Sequence, residues 1–254
     1  MKKLESIGNR LAPIVFIVIL ISIWQIAVAS GYIKPYILPL PKNVIITFFN
    51  ILPEIKEHII ITIQEAVYGL GIAVIFAIIL AVVMDSVKII KDAVYPILIL
   101  SQTVPIIVLA PLFAMWFGFG MFPKVIVVAL VCFFPIVVSL LEGLESVDDD
   151  LINLIKSMGA SKLKIFKIVK FPASMVSFFS GLKVAATYSI MGAVIGEWMG
   201  GKAGLGLYLL RAKKSFLIDK VFAVIFLIVL LSITIFKLVS VLQYLFMPWS
   251  KENR

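Results

Sequence analysis

The chain has 254 residues, of which 62% are hydrophobic and 15% charged, and its mean hydropathy is +1.15. Soluble domains run near ~45–50% apolar and ~25% charged, so both a water-soluble globule and a disordered chain are excluded. A membrane span needs about 20 apolar residues, which leaves room for several. A net charge of +9 would point to nucleic acid in a soluble protein. Here Lys and Arg flank apolar runs and set their orientation, so the expected partner is the lipid bilayer and not nucleic acid. A single cysteine, Cys132, inside an apolar run excludes a disulfide framework and a thiolate metal site. A single histidine, His58, excludes a multi-histidine centre, so no metal is expected.

The first apolar run, Leu11 to Ala29, follows Lys2, Lys3 and Arg10. Ala27-Val28-Ala29 mimics a signal-peptide cleavage site, but the run exceeds a signal core of ~7–15 residues and more spans follow, so a retained helix is expected. Gly31 to Pro41 carries Pro35, Pro39 and Pro41 and cannot continue a helix. Over residues 42–57, Val44, Ile45, Phe48, Phe49 and Leu52 form one apolar face, which predicts a short interfacial helix. The second span is expected over Ile59–Met84, followed by a polar turn with Asp85, Lys88, Lys91 and Asp92. The third runs from Val94 to Phe117, interrupted by Pro96, Pro105 and Pro111. Gly118-Phe119-Gly120 and Pro123-Lys124 connect it to a fourth, Val125–Leu141.

From Glu142 to Lys170 the composition changes to the chain's one long charged stretch, which places it in water. Within it Leu151, Leu154, Ile155 and Met158 recur at i, i+3, i+4 and i+7, one stripe of an amphipathic helix. Asp148–Asp150 stand at its start and Lys156 near its end, the signs a helix dipole favours. Three aspartates repel an anionic inner leaflet, so the stripe fits a groove on another protein better than a membrane surface. Pro172 opens a fifth span, Ala173–Met199. A polar segment with Gly200, Gly201, Gly204 and Gly206 follows, ending in Arg211, Lys213, Lys214 and Lys220. The sixth span is Val221–Phe246, with a Lys251–Arg254 tail. The expected class is therefore an all-α membrane protein of about six transmembrane helices, with a cytoplasmic helix between the fourth and fifth. The distribution of Lys and Arg modestly favours both termini inside.

The stretch from Lys156 through Gly159 and Val169 to Pro172 resembles the EAA loop of permease subunits in binding-protein-dependent ABC importers. Gly159, Val169, Phe171 and Pro172 fall on that loop's positions, while Asn153, Leu154 and Ile155 stand in place of its Glu-Ala-Ala. Leu38-Pro39-Leu40-Pro41 resembles the external Leu-Pro-Ser-Pro element of the nitrate, sulfonate and taurine branch. Val104-Pro105, Ala110-Pro111-Leu112-Phe113 and Trp116-Phe117-Gly118 resemble its third-span signature. Phe134-Pro135, Gly181-Leu182-Lys183, Gly196-Glu197-Trp198 and Ala203-Gly204-Leu205-Gly206 continue the series, which covers most of the chain.

The resemblance implies a single permease domain over 1–254, with a core over 58–246 and an ATPase-docking loop over 142–172. It implies a second permease copy in a homodimer, two ATPase subunits and an external substrate-binding protein, in a cell (inner or plasma) membrane. The coupling residues it implies are Leu151, Leu154, Ile155, Met158, Gly159, Ala160 and Pro172. Gly159 permits close approach or a sharp turn after the helix, and Pro172 sets the angle into span five. No G-x-x-x-x-G-K-[ST] sequence occurs, so ATP and Mg belong to the partner and this chain is expected to be neither an enzyme nor a cofactor binder.

Glu65, Lys183, Glu197 and Lys237 lie in or near apolar runs, where a charge at mid-bilayer costs about 2.5–3.5 kcal/mol and usually faces a bundle interior or cavity. Lys183 and Glu197 share a helical face about 21 Å apart, too far to pair. That face either turns toward a path or partner, or Glu197 caps the glycine segment at the outer end of its span. Glu65 stands where sulfonate and nitrate relatives tend to carry arginine, which disfavours an anionic substrate. Gln102-Thr103-Val104-Pro105 and Tyr188-Ser189-Ile190-Met191-Gly192 resemble permeases for thiamine pyrimidine precursors. Gln102, Tyr68 and Tyr188 suit a flat heterocycle, or else ordinary helix packing. The expected path residues are Glu65, Gln102, Lys183, Tyr188 and Glu197, and sulfonate, taurine or nitrate is the alternative cargo. An ion-coupled secondary transporter would show inverted repeats and paired interrupted helices; no internal repeat is evident. An intramembrane enzyme would need convergent His, Asp or Cys residues.

Overall fold

The computed structural model describes residues 2–247, with side chains from residue 11 onward; the Lys251–Arg254 tail lies outside the described residues. In chain order the helices are α1 (Lys2–Ala29), α2 (Pro41–Ile51), α3 (Lys56–Ser86), α4 (Lys88–Ser101), α5 (Ile106–Phe117), α6 (Met121–Glu145) and α7 (Asp149–Ser157). Then follow α8 (Lys162–Ile165), a π turn (Phe166–Lys170), α9 (Phe171–Glu197), α10 (Leu205–Lys214) and α11 (Ile218–Phe246). Among the described residues five helices are long and apolar enough to cross a membrane, and the pair α4 and α5 makes a sixth if counted as one span. The chain divides into two compact units: residues 1–56 with 208–227, and residues 57–207 with those from 228 onward.

The first unit is held by aromatic edges and a few polar ties. Trp24 donates its indole N–H to Pro39 O at 2.9 Å, pinning the proline-rich turn after α1. Phe48 meets Phe226 edge-on at 5.5 Å. The interfacial helix expected over 42–57 is α2, which starts on Pro41, a residue suited to a first turn, and ends before Pro53. Beyond it Glu54 accepts from Tyr208 at 3.2 Å and pairs with Lys220 at 3.1 Å. Partial burial raises the Tyr208 hydroxyl above the usual phenol range, which keeps it a donor.

The second unit is built on α3, α6 and α9, and small residues let their backbones close up. Buried Ala66, Ala73, Ala77 and Ala81 line one face of α3. Gly69 sits directly against Val125 and Val128 of α6. Along α6 and α9 the contacts run in opposite order: Gly143 against Ser174 and Ser177, Gly181 against Pro135 and Ser139, Gly192 against Val128, Gly196 against Lys124. The two helices are therefore antiparallel. In lipid, association rests on such van der Waals contact, because lipid tails are as apolar as the side chains.

Four expectations need correction. The third span is not one helix: α4 and α5 meet at a 98° bend. At about 21 and 18 Å neither alone crosses a ~30 Å hydrocarbon layer. Pro105 has no N–H for the Ser101 carbonyl and drives Val104 out of helical conformation. Ser101 and Thr103 hydroxyls, each 2.7 Å from a carbonyl of the last turn of α4, donate to backbone groups at the break. The polar turn expected over Asp85–Asp92 shrinks to Val87, and Lys88, Lys91 and Asp92 form the start of α4. Pro172 does not open a separate helix either. Helix continues from Lys162 to Glu197, and Phe171 N–H bonds to Phe166 O five residues back. The π turn widens the helix where the Pro172 ring would press on the Ile168 carbonyl. The glycine segment, in turn, is only partly open loop, since α10 begins at Leu205.

The α6–α9 contact yields a sharp expectation. A side chain at Gly181 would run into the Pro135 carbonyl, whereas Gly71 faces open space. Gly181→Leu is expected to destabilise by about 1–3 kcal/mol through overpacking. The readout is a lower thermal midpoint of the detergent-purified protein, with Gly71→Leu unchanged.

Candidate functional site

Two polar regions mark opposite ends of the α3–α6–α9 bundle. At one end Glu65 of α3, Lys124 of α6 and Glu197 of α9 converge, all buried. Lys124 Nζ lies 3.0 Å from Glu65 Oε1. Lys124 is the one cation that reaches the Glu65 carboxylate among the described residues. Coulomb attraction carries the pair. At an effective dielectric of ~20 it is worth roughly 5 kcal/mol, comparable with the desolvation of several kcal/mol per ion. The pair thus adds little net stability but fixes which faces of α3 and α6 meet.

Glu197 takes the other donors. Thr62 Oγ1, one turn before Glu65 on α3, donates to Glu197 Oε1, and Gly206 N–H donates to Oε2. Thr62 Oγ1 in turn accepts from Leu205 N–H at 2.9 Å, and Gly204 N–H donates to His58 Nδ1 at 2.9 Å. The glycine segment thereby folds over the carboxylate as a lid on the charge cluster. Gly204, at φ +136°, has a backbone that side chains rarely adopt, and a Cβ there would overlap the Glu197 carboxyl. Glycine is required on both counts.

At the other end Lys170 pairs with Asp85 at 2.7 Å, and Lys91 of α4 pairs with Glu145 of α6. From Glu65 to Asp85 on α3, and from Lys124 to Glu145 on α6, the rise is about 30 Å, the thickness of the hydrocarbon core. The charge cluster thus belongs near one face of the membrane and the Lys170–Asp85 pair near the other.

Beyond Lys170 lies α7. Asp148 caps it, accepting from Asp150 N–H at 2.8 Å, and Asp149, Asp150 and Lys156 complement its dipole. Leu151, Leu154 and Met158 of the expected stripe are 43%, 60% and 78% exposed, while Ile155 and Ala160 are half-buried. Gly159 follows at φ +85°, and a Cβ there would meet no atom within 4 Å. Of its two readings, the sharp turn is the one the backbone requires.

The five expected path residues fall in three places. Glu65 and Glu197 come together at the charge cluster, buried inside the bundle, with Glu197 capping the glycine segment. Tyr188 lies on the exposed stripe of α9 with Val176, Val184 and Met191. Lys183 flanks that stripe, its Nζ 5.9 Å from the Phe236 ring centroid, so Lys183 and Glu197 do not share one open face. Gln102 is exposed at the α4–α5 break. The charge reasoning about Glu65 also changes: Lys124 offsets its carboxylate, so repulsion of an anion no longer follows from it. Sequence reading missed Lys124, Thr62 and His58. The available signal was a lysine in the first turn of an apolar helix, the end where the dipole disfavours a cation.

Removing one member of the buried pair strands the other. Lys124→Met is expected to cost about 3–5 kcal/mol, read as a lower thermal midpoint or loss of inserted protein. Lys124→Met with Glu65→Met is expected to recover most of it. A double variant no better than the single one would exclude pairing as the cause.

Residues 73–251 match the family described as binding-protein-dependent transport system inner membrane component. The formylaminopyrimidine transport permease protein ThiX of Halalkalibacterium halodurans is 35% identical over 96% of this chain and 98% of its own length. The riboflavin transport system permease protein RibX of Chloroflexus aurantiacus is 29% identical over 92% of this chain and 88% of its own. The taurine transport system permease protein TauC of Escherichia coli is 26% identical over 92% and 88%. With its membrane-length helices and its ordered motifs, the chain belongs to the binding-protein-dependent inner-membrane component family and is a multi-pass permease subunit of an ABC importer.

Proposed function

We propose that this chain forms the translocation path for a formylaminopyrimidine-type heterocycle, working as one permease domain over 1–254 and driven by a separate ATPase that binds ATP and Mg. The observation that carries the coupling is the apolar stripe of α7, Leu151, Leu154 and Met158, left open at the end of a capped helix. Burying it on a partner groove recovers roughly 25 cal/mol per Å². Ile155, Gly159 and Ala160 hold the stripe's angle, and the continuous helix through Pro172 links it to α9. Two ATPase subunits on two permease copies would then move α9 from that end. The coupling loop and both termini lie in the cytoplasm on this reading, and an external binding protein delivers cargo at the charge-cluster end. Tyr188, Lys183 and Gln102 line the path, and Glu65 with Glu197 gates it where the glycine segment closes.

The left-handed backbone at Gly159 makes the coupling testable. A β-branched residue there costs about 1–2 kcal/mol or more of strain, so Gly159→Val should lose co-purification with the ATPase while remaining inserted, and Gly159→Asn should retain it. Undiminished co-purification of the valine variant would remove α7 as the docking element.

The cargo reading is supported by 35% identity to the formylaminopyrimidine permease over nearly the whole of both chains. Uptake by the assembled transporter should be competed by formylaminopyrimidine and not by taurine or nitrate, and Tyr188→Ala should reduce it at unchanged membrane content. Transport of taurine with no effect of the pyrimidine would replace this reading with the sulfonate one.

A further inference from the structure

Behind α7 lies an open cleft of about 540 Å³, walled by Val82 at the end of α3, Ile152 and Lys156 of α7, and Lys162, Leu163 and Phe166. At ~30 Å³ per water molecule it is far larger than a hydration site and falls within the ~300–1,000 Å³ range of small-ligand pockets. Its chemistry is split. One side is apolar, and next to it Leu163 and Ile168 are 63% and 58% exposed. The other side is cationic. Between residues 151 and 170 the sequence has five lysines and no acid. Asp85 and Lys170 both line the cleft and pair with each other, which leaves Lys156 and Lys162 of its wall with no carboxylate partner among the described residues; Lys164 and Lys167 follow in the same segment outside the wall.

We propose that this cleft holds the headgroup of an anionic phospholipid, with its acyl chains along Leu163, Phe166 and Val82. The occupant must bring negative charge and hydrocarbon together, at the level where α3 leaves the membrane. A soluble anion would leave the apolar wall wet. A protein partner has its own surface, since Leu151, Leu154 and Met158 point away from the cleft that Ile152 and Lys156 line. Cationic side chains at this depth extend their charge to the interface while their stems cover apolar surface, and the negative leaflet potential adds to the attraction. The bound lipid would fill the space on which α7 rests and set how firmly that helix is seated. Placement of the cleft in the inner leaflet rests on the coupling reading of α7.

Native mass spectrometry of the purified full chain, offered phosphatidylglycerol or phosphatidylcholine in mixed micelles, tests this. Retention of phosphatidylglycerol over phosphatidylcholine is expected. K156Q with K162Q should reduce it about thirtyfold, and K156R with K162R should preserve it. Leu154→Asp, on the exposed stripe that addresses ATPase docking and outside the cleft wall, should leave lipid retention unchanged, so the two readings fail separately. Equal retention of both lipids, or undiminished phosphatidylglycerol on the glutamine variant, would overturn the proposal. Displacement of the lipid by millimolar inorganic phosphate alone would overturn it in favour of a simple anion site. Loss of ATPase co-purification in the glutamine variant with lipid retention intact would assign the lysines to the protein partner.

Discussion

A lysine near the positive end of an apolar helix has no stable place in a membrane unless an acid meets it. Lys124 is in that position, and Glu65 meets it from α3. Because an isolated buried charge is far costlier than a satisfied one, rotations or slides of α3 that separate the pair are penalised. The same constraint draws in α9, whose Glu197 stands beside the pair and takes its donors from Thr62 and Gly206. Three helices and a glycine segment thus share one register, and the row of small residues below lets them keep it at close range.

The two ends of the bundle differ in how tightly they are built. Around Glu197 the packing leaves no space for a side chain at Gly204 or Gly206. Around α7 no residue is fully buried, and a large cleft lies behind the helix. Close-packed interiors switch between discrete arrangements while loosely seated elements shift gradually. A push on α7 therefore enters a compliant part, runs along about 40 Å of α9, and arrives at a part that either stays closed or gives way as a unit.

Much of this was legible in the residues. The apolar runs located the long helices, and period-3.6 spacing with an acidic start located α7. The ordered motifs located the family. What failed was proline. Pro96, Pro111 and Pro135 sit inside helices, Pro172 is absorbed by a π turn, and of these five only Pro105 breaks the helix, between α4 and α5. The residue type is the same each time; at Pro105 the Ser101 and Thr103 hydroxyls take up carbonyls of the last turn of α4, which lowers the cost of a break there. Glu65 was visible as an anomaly, but its partner lies 59 positions further along and pairs only through the fold. A charge whose partner is distant in sequence reads as a feature of the path until the bundle is assembled.

The spacing of the polar ends has a consequence for the lipid around the molecule. Ion pairs about 30 Å apart along α3 and α6 fix the height of the hydrocarbon-facing band from within, and the helices cannot lengthen it. Tilting, the usual accommodation of a single helix to a different bilayer, would shear the pairs that join neighbouring helices. The adjustment therefore falls on the lipid, which stretches or thins at the protein wall for fractions of a kcal/mol per Å. Membrane thickness becomes a variable to which this permease responds as a rigid gauge, partitioning toward bilayers that match it.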